Sequence, residues 1–168
     1  MTIRFGVLTI SDRCARGEAA DASGPAVAKL VREKGWRVTE MCCVPDEEKI
    51  IIEKLREWCD AGKIDVALTT GGTGLGPRDV TPEATKKLIE KELPGFGELM
   101  RSEGLKKTSR AVLSRSTAGS YKKSLIINLP GSREGAVESL TAVIDIISHA
   151  LEMISGSSHD KNTAGKAA

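Results

Sequence analysis

The segment best suited to chemistry is a glycine-rich loop with charged residues at its far end. Residues 69–83 read TTGGTGLGPRDVTPE, with four glycines between Gly71 and Gly76. Glycines let the backbone approach a ligand closely and turn its N–H groups towards a phosphate. A carboxylate beside such a loop, here Asp79, is a natural Mg²⁺ ligand when phosphates complete the coordination. We therefore interpret the segment as an anion-binding loop.

This loop matches neither of the two standard phosphate-binding motifs. A P-loop beginning at Gly71 needs Lys at position 77, and the dinucleotide fingerprint needs a small residue there, but the residue is Pro77. The missing lysine weakens the hypothesis of a generic nucleotide-dependent phosphotransferase. Glycine richness alone is equally typical of a structural turn, so that alternative stays open.

Polar residues also follow the other predicted strands. Asp12 follows the first strand, Asp46 the second, and residues 128–132 the last, while Ser23 opens a helix. Taken singly, Asp46 could be a helix N-cap and Asp12 part of a solvated loop. Ligands of parallel α/β sheets bind beyond the carboxyl ends of the strands. Four polar loops at that edge predict a pocket for a phosphorylated ligand.

The elements that position these loops alternate along the chain. Branched apolar runs predict strands at Ile3–Ile10, Trp36–Val44, Asp65–Thr70, Ala111–Ser114 and Ser124–Leu129. Helical spacing and capping residues predict helices from Ser23 to before Gly35, from Asp46 to Gly62, from Thr81 to about Glu92, over Phe96–Glu103 and over Val137–Ile154. A turn is expected at residues 117–120. The order predicts a three-layer α/β fold, a mostly parallel sheet with helices on both faces and a β-hairpin near residues 110–130.

Length and composition limit the class of protein. The 168 residues suit a single domain, which we assign to residues 1–155, and the aperiodic residues 156–168 predict a disordered tail. A net charge of +2 and only five aromatic residues argue against nucleic acid as a partner. No apolar run approaches the roughly 18–20 residues that cross a membrane. We expect no membrane partner.

The cysteines indicate the cellular compartment. Cys14, Cys42, Cys43 and Cys59 form no CxxC pair and lack the spacing of zinc ligands. Reduced thiols are typical of proteins in the cytoplasm, which is where we expect this one.

Taken in order, the motifs resemble one known family. The segments are LTISDR (8–13), DASGP (21–25), VPD (44–46), TTGGTG (69–74), PRDVTPEAT (77–85), LSR (113–115) and IINLPGS (126–132). This order closely resembles the MogA-like molybdopterin adenylyltransferases, which are related to the G domain of gephyrin. The resemblance covers roughly residues 3–155. Its most specific part is the combination of TTGGTG and PRDVTPEAT with NLPGS.

The resemblance implies a reaction and a set of site residues. Mg²⁺-ATP would adenylylate the terminal phosphate of molybdopterin, giving adenylyl-molybdopterin and pyrophosphate. Asp46 and Asp79 would be the catalytic acidic pair, binding Mg²⁺ or holding the reacting phosphates. Residues implied to contact ATP or molybdopterin are Asp12, Ser23, Gly71, Gly72, Thr73, Gly74, Ser114, Asn128, Pro130, Gly131 and Ser132.

The resemblance also bears on partners. It implies a homotrimer and, because the chain leaves no room for a fused molybdenum-insertion domain, a separate insertion protein. The alternative function is that of a MoaB-like protein that binds molybdopterin as a carrier or scaffold without adenylylating it. Residues 94–101 resemble the MogA branch and favour the enzyme. Because no aromatic residue lies in the candidate loops, we expect the ligand's ring to be held by backbone hydrogen bonds and apolar contacts.

Overall fold

The computed structural model describes residues 2–156, which form one six-stranded sheet with helices on both faces. The strands are β1 (Arg4–Ile10), β2 (Arg37–Val44), β3 (Val66–Thr70), β4 (Lys91–Glu92), β5 (Ala118–Tyr121) and β6 (Ser124–Leu129). The helices are α1 (Asp12–Ala15), α2 (Ser23–Glu33), α3 (Glu48–Asp60), α4 (Thr81–Leu88), α5 (Pro94–Leu105), α6 (Arg133–Val143) and α7 (Ile147–Ile154). Two 3₁₀ segments, Ser109–Leu113 and Ile144–Ile146, complete the described elements.

The sheet is parallel except at one side. Its strand order is β2-β1-β3-β6-β5-β4, and β1, β2, β3 and β6 run in the same direction. Strand β5 pairs antiparallel with β6, and the two-residue β4 pairs antiparallel with β5. The carboxyl ends of the four parallel strands therefore lie at one edge, where the polar loops begin.

Two apolar clusters hold the three layers together. Side chains of β1 alternate, so that Phe5 and Val7 belong to one cluster and Leu8 and Ile10 to the other. Helices α2, α5, α6 and α7 complete the first cluster, and α3 and α4 complete the second. Burial of both faces explains why the central strands are continuously apolar. The predicted fold class is confirmed.

The helix predicted from Thr81 ends earlier than expected. Helix α4 stops at Leu88, because Ile89 is extended and the next residues enter strand β4. Glu90 and Leu93 donate backbone hydrogen bonds to β5 residues on either side of that short strand. Pairing with the sheet outweighs the helical propensity of this lysine- and glutamate-rich segment.

The hairpin exists, but its parts are shifted along the chain. The strand predicted at Ala111–Ser114 is wrong, because those residues lie in and just after a 3₁₀ segment. The turn predicted at residues 117–120 is also wrong, because most of that segment is β5. The chain reverses at residues 122–123, where Lys122 has a φ of 51°. Small residues suit β5, since a Cβ on Gly119 would lie 2.7 Å from the Lys91 carbonyl oxygen.

Three further differences concern helices and the chain end. The helix predicted over residues 137–154 is interrupted by the Ile144–Ile146 3₁₀ segment, although its apolar face stays buried. Helix α1 lies within the predicted loop after β1. The tail predicted at 156–168 falls, beyond Gly156, outside the described residues. Within residues 2–156, no helix is long and apolar enough to span a membrane.

Candidate active site

The glycine loop begins with a turn that only glycine accommodates. At the end of β3 the chain bends through Gly71 and Gly72, whose φ angles are +101° and +65°. A Cβ on Gly71 would collide with the carbonyl oxygen of Ile10, and one on Gly72 would collide with the hydroxyl of Thr81. These two glycines therefore have a structural role at the start of the loop, whatever ligand the loop binds.

Asp79 closes the far half of the loop. Its Oδ2 accepts a hydrogen bond of 2.7 Å from the Gly76 N–H, and its own N–H donates to the Gly76 carbonyl at 3.0 Å. A Cβ on Gly74 or Gly76 would lie within 3 Å of the same Oδ2 (2.9 and 2.8 Å). Among residues 2–156, nothing donates a hydrogen bond to the other oxygen, Oδ1. One oxygen of the carboxylate is thus fixed, and the other is open to a ligand.

Asp46 is bound to the loop after β1 rather than to its own helix. Its Oδ2 accepts from the Asp12 N–H at 2.8 Å, and its N–H donates to Asp12 Oδ1 at 3.0 Å. The N-cap of α3 is Glu47, so the interpretation of Asp46 as that cap is wrong. Burial raises the pKa of the Asp46 carboxyl, and the charges of Asp12 and Asp79 add to the rise. The two candidate catalytic carboxylates therefore feel each other's charge.

Arg78 neutralises the third carboxylate of this group. Its Nε and Nη2 donate to the two oxygens of Asp12 at 3.0 and 2.9 Å. These bonds are the main reason why the pKa of Asp12 is lowered. With both oxygens engaged, Asp12 connects the loops after β1, β2 and β3. Asp12 is among the predicted ligand contacts and Arg78 is not, although Arg78 lies in the PRD segment.

Arg115 is a second arginine that is absent from the predicted site residues. Its Nε and Nη2 donate to the carbonyl oxygens of Gly74 and Asp79, each at 2.8 Å. Its Nη1 forms an ion pair with Glu83 in the first turn of α4, and its backbone N–H donates to the Thr73 carbonyl at 3.1 Å. The sequence signal that could have identified Arg115 is its place in the LSR segment.

A cavity of about 440 Å³ opens beside the loop. Its wall includes five predicted site residues, namely Thr73, Gly74, Ser114, Pro130 and Ser132. Met100, Ala111 and Leu113 give it an apolar side. The cavity can take a ring on aliphatic contacts, which fits the expectation of recognition without aromatic stacking.

Two predicted residues have visible structural partners instead. Ser23 is buried, and its hydroxyl lies 2.8 Å from that of Thr70. Asn128 is fully buried, and its Nδ2 donates to the hydroxyls of Thr69 and Thr85 at 2.9 and 2.8 Å. Its Oδ1 is buried without a partner among the described residues. Neither residue lines the cavity. The other predicted site residues outside its lining are Asp12, Asp46, Gly71, Gly72, Asp79 and Gly131.

The NLPGS segment joins the site to helix α6. Ser132 caps α6 by accepting from the Gly135 N–H at 3.2 Å, and it is exposed at the cavity. A Cβ on Gly131 would lie 3.2 Å from the Gly71 Cα, so the two loops are in close contact. This contact aligns the N-terminus of α6 with the glycine turn.

The donor set suits a divalent ion shared with phosphates. Within the described chain, no group of three or more His, Cys, Asp or Glu side chains is arranged as a metal site. Mg²⁺, however, often takes only one or two carboxylates and completes its shell with phosphate oxygens and water. Asp46 and Asp79 each keep one oxygen without a hydrogen bond from residues 2–156. Burial is the main reason why the pKa of the Asp46 carboxyl is raised, and repulsion from the Asp79 charge adds to the rise. A cation between them would relieve that repulsion.

Together, the parallel sheet and the loops at its carboxyl edge define an α/β protein with a glycine-rich loop and two carboxylates beside it. The model of the family described as "Probable molybdopterin binding domain" matches residues 6–149. The chain belongs to this family.

Individual relatives agree with that membership. The chain is 46% identical over 157 residues to a protein of Helicobacter pylori named molybdopterin adenylyltransferase, covering 92% of this chain and 89% of the relative. The fold of this chain matches the crystal structure of the molybdopterin biosynthesis enzyme MoaB from Thermus thermophilus with a TM-score of 0.87. The two sequences are 47% identical, and the match covers 92% of this chain and 98% of the other. A structure of MogA matches with a TM-score of 0.85, at 36% identity and coverages of 90% and 99%.

Proposed function

We propose that this protein is a molybdopterin adenylyltransferase, a nucleotidyltransferase of molybdenum cofactor biosynthesis that uses Mg²⁺ and ATP. The observation that carries the proposal is the placement of Asp46 and Asp79 beside the glycine loop, where the charge of Asp79 acts on the Asp46 carboxyl. Each carboxylate is held through one oxygen and leaves the other open. A site that only carries molybdopterin does not need two carboxylates with open oxygens. The names of the relatives support the same activity.

The reaction suits a site that works by position and charge. The terminal phosphate of molybdopterin is already anionic at neutral pH, so its oxygen can attack the α-phosphorus of ATP without losing a proton to a base. The new P–O bond forms as the bond to the departing pyrophosphate breaks. Catalysis then depends on alignment and on stabilising negative charge.

Each part of the site has a role in this scheme. Asp46 and Asp79 would hold Mg²⁺ through their open oxygens, and the ion supplies positive charge next to the triphosphate. Loop N–H groups from Gly72 to Gly74 would face the phosphates, and the Ser114 and Ser132 hydroxyls can donate into the adjoining cavity. The aliphatic wall at Met100 and Leu113 would carry a ring.

The test is direct product analysis. The protein is incubated with ATP, Mg²⁺ and molybdopterin, and adenylyl-molybdopterin and pyrophosphate are measured. We expect Asp46→Asn and Asp79→Asn each to lower kcat by about 10²–10³-fold, the loss typical of one electrostatic contact in an active site. Circular dichroism should show that both variants fold.

Asp60→Asn is the matched control, because Asp60 is an exposed carboxylate that pairs with Lys122 at the end of α3. It should keep wild-type turnover. Wild-type turnover from both Asp46 and Asp79 variants would contradict the assignment of the acidic pair.

The alternative is a MoaB-like function, molybdopterin binding without adenylylation. The chain is 47% identical to a structure named MoaB, although that name describes a biosynthesis enzyme. The same assay separates the two functions. A carrier would bind molybdopterin and yield no adenylyl product, and a γ-phosphotransferase would release ADP instead of pyrophosphate.

The wider setting of the protein is inferred from the resemblance and from composition. We propose a homotrimer that hands its product to a separate molybdenum-insertion protein. The spacing of the cysteines is the basis for proposing that it acts in the cytoplasm.

A further inference from the structure

We propose that Arg115 is a positioning residue that fixes Asp79 and the glycine loop relative to the Ser114 wall of the cavity. This inference rests on the proposed function, since adenylylation is the reaction that the positioning would serve. It assigns Arg115 no contact with substrate.

The Arg115 guanidinium bonds to three acceptors in the loop and in helix α4. Nε and Nη2 reach the carbonyl oxygens of Gly74 and Asp79, which are five residues apart in the chain, each at 2.8 Å. Nη1 pairs with Glu83 in α4. One side chain thus connects both ends of the Gly74–Asp79 segment to the helix that follows the loop.

Few other contacts hold the far half of the loop. Residues 75–78 are exposed, and the Leu75 side chain is 70% exposed. Inside the loop, Asp79 bonds only to Gly76. Outside it, Arg78 bonds to Asp12. Residues 75–78 belong to neither apolar cluster. The hydrogen bonds from Arg115 therefore hold the base of the loop, which no apolar packing anchors.

Residues 114–116 link the loop to the Ser114 wall of the cavity. The Arg115 N–H donates to Thr73, and Arg101 from α5 donates to the carbonyl oxygens of Ser114 and Ser116 at 3.2 and 3.0 Å. Residues 114–116 are therefore held from both sides. Thr73 and Ser114 both line the cavity, so the backbone N–H of Arg115 joins the loop to the Ser114 wall, and its guanidinium holds the far half of the same loop.

The geometry also explains why this residue is an arginine. The guanidinium donates from three nitrogens to three acceptors in different directions, which its rigid fork allows. A lysine would present one nitrogen and could not serve the two carbonyl oxygens and Glu83 together. We therefore expect Lys to substitute poorly.

Loss of these bonds should affect turnover more than nucleotide binding. The turn at Gly71 and Gly72 is held by backbone bonds to Leu129 and Thr81, at 3.2 and 3.1 Å, which do not involve Arg115. Asp79, in contrast, loses the bond to its backbone carbonyl and keeps only its two bonds to Gly76 within the loop. A displacement of about 1 Å in a reacting group can cost about 10²-fold in rate.

The experiment compares Arg115→Ala, Arg115→Lys and a matched control, Arg4→Ala, in the product assay. Arg4 also makes several side-chain hydrogen bonds, to Asp65 and Gly62, but at the amino ends of the strands. We expect Arg115→Ala to lower kcat by about 10²-fold with KM for ATP little changed, and Arg115→Lys to recover only part of it. Added guanidinium ion should restore activity to Arg115→Ala, whereas Arg4→Ala should keep wild-type kcat.

Hydrogen exchange of the amides at residues 74–79 gives a readout that needs no activity. It should be faster in Arg115→Ala and unchanged in Arg4→Ala. Wild-type kcat together with wild-type exchange in Arg115→Ala would overturn the inference. If Arg115→Ala does not fold, Arg115→Lys is judged by the same two measurements. If the wild-type protein makes no adenylyl-molybdopterin, the proposed function fails, and the exchange data still decide whether Arg115 holds the loop.

Discussion

Gly71 shows how a single residue sets the start of the site. Its φ of +101° belongs to a region that L-residues rarely adopt, and a Cβ there would meet the Ile10 carbonyl oxygen. We expect Gly71→Ala to lower the free energy of unfolding by at least about 1–3 kcal/mol, the cost of such a backbone conformation alone. Urea denaturation measures it.

The control for this change is Gly95→Ala. Gly95 lies in the first turn of α5 and is exposed, and a Cβ added to it would have no heavy atom within 4 Å outside its immediate neighbours. Alanine there should be neutral or slightly stabilising, because it favours a helix over glycine. Equal stabilities of the two variants would contradict the argument from backbone conformation.

The sequence predicts some site residues better than others, for a physical reason. Asp46 follows the end of β2, and Asp79 lies in the loop between β3 and α4, so the sheet topology brings both loops to one edge. Arg78 and Arg115 act through long side chains that reach across loops, to Asp12 and to the Gly74 and Asp79 carbonyls. Such contacts depend on loop conformation, which periodicity does not encode.

At the scale of elements, α4 is attached to the glycine turn by its first residue. The Thr81 hydroxyl donates to the Gly71 carbonyl oxygen at 2.8 Å, and the Thr81 backbone N–H donates to the Gly72 carbonyl oxygen at 3.1 Å. Thr81 is fully buried. Thr81→Val keeps the shape but leaves a buried carbonyl without this donor, which should cost about 1–3 kcal/mol of unfolding free energy. Thermal or urea unfolding measures the loss.

Thr141→Val serves as the comparison for Thr81→Val. Thr141 is exposed on α6, where its hydroxyl donates to the Val137 carbonyl one turn earlier. Water can replace that bond, so this change should shift stability by only a few tenths of a kcal/mol. A loss at Thr141 as large as at Thr81 would mean that the buried bond to Gly71 has no special weight.

Elements buried on both faces are those that the sequence predicts well. Strands β1, β3 and β6 carry continuous apolar runs because helices cover both sides of the sheet. The two-residue β4 and the glycine-containing β5 carry no comparable pattern. They form through pairing with each other and with β6, a tertiary effect that outweighs local propensity.

Across the whole molecule, the two ends of the parallel strands have different tasks. The candidate site occupies the carboxyl edge. The amino edge carries Arg4, whose side chain donates to Asp65 at 3.1 and 2.7 Å and to the Gly62 carbonyl at 2.6 Å. Asp65 also accepts from the Arg4 backbone N–H at 2.8 Å. This cluster joins the starts of β1 and β3, far along the strands from Asp46 and Asp79.

That separation predicts a pH-dependent stability that leaves the candidate site unaffected. Burial opposes ionisation of Asp65, but the hydrogen bonds from Arg4 outweigh it and lower the pKa of the carboxyl. A carboxyl with a lowered pKa stabilises the fold fully above its unfolded pKa of about 4, and that contribution is lost as pH falls through the folded value. Asp65→Asn should therefore cost about 1 kcal/mol at neutral pH, a modest figure because the pair is partly exposed. The difference from wild type should shrink below about pH 4, as denaturant unfolding at several pH values would measure. Turnover at neutral pH should match wild type, and a pH-independent stability difference would contradict the role of the Asp65 charge.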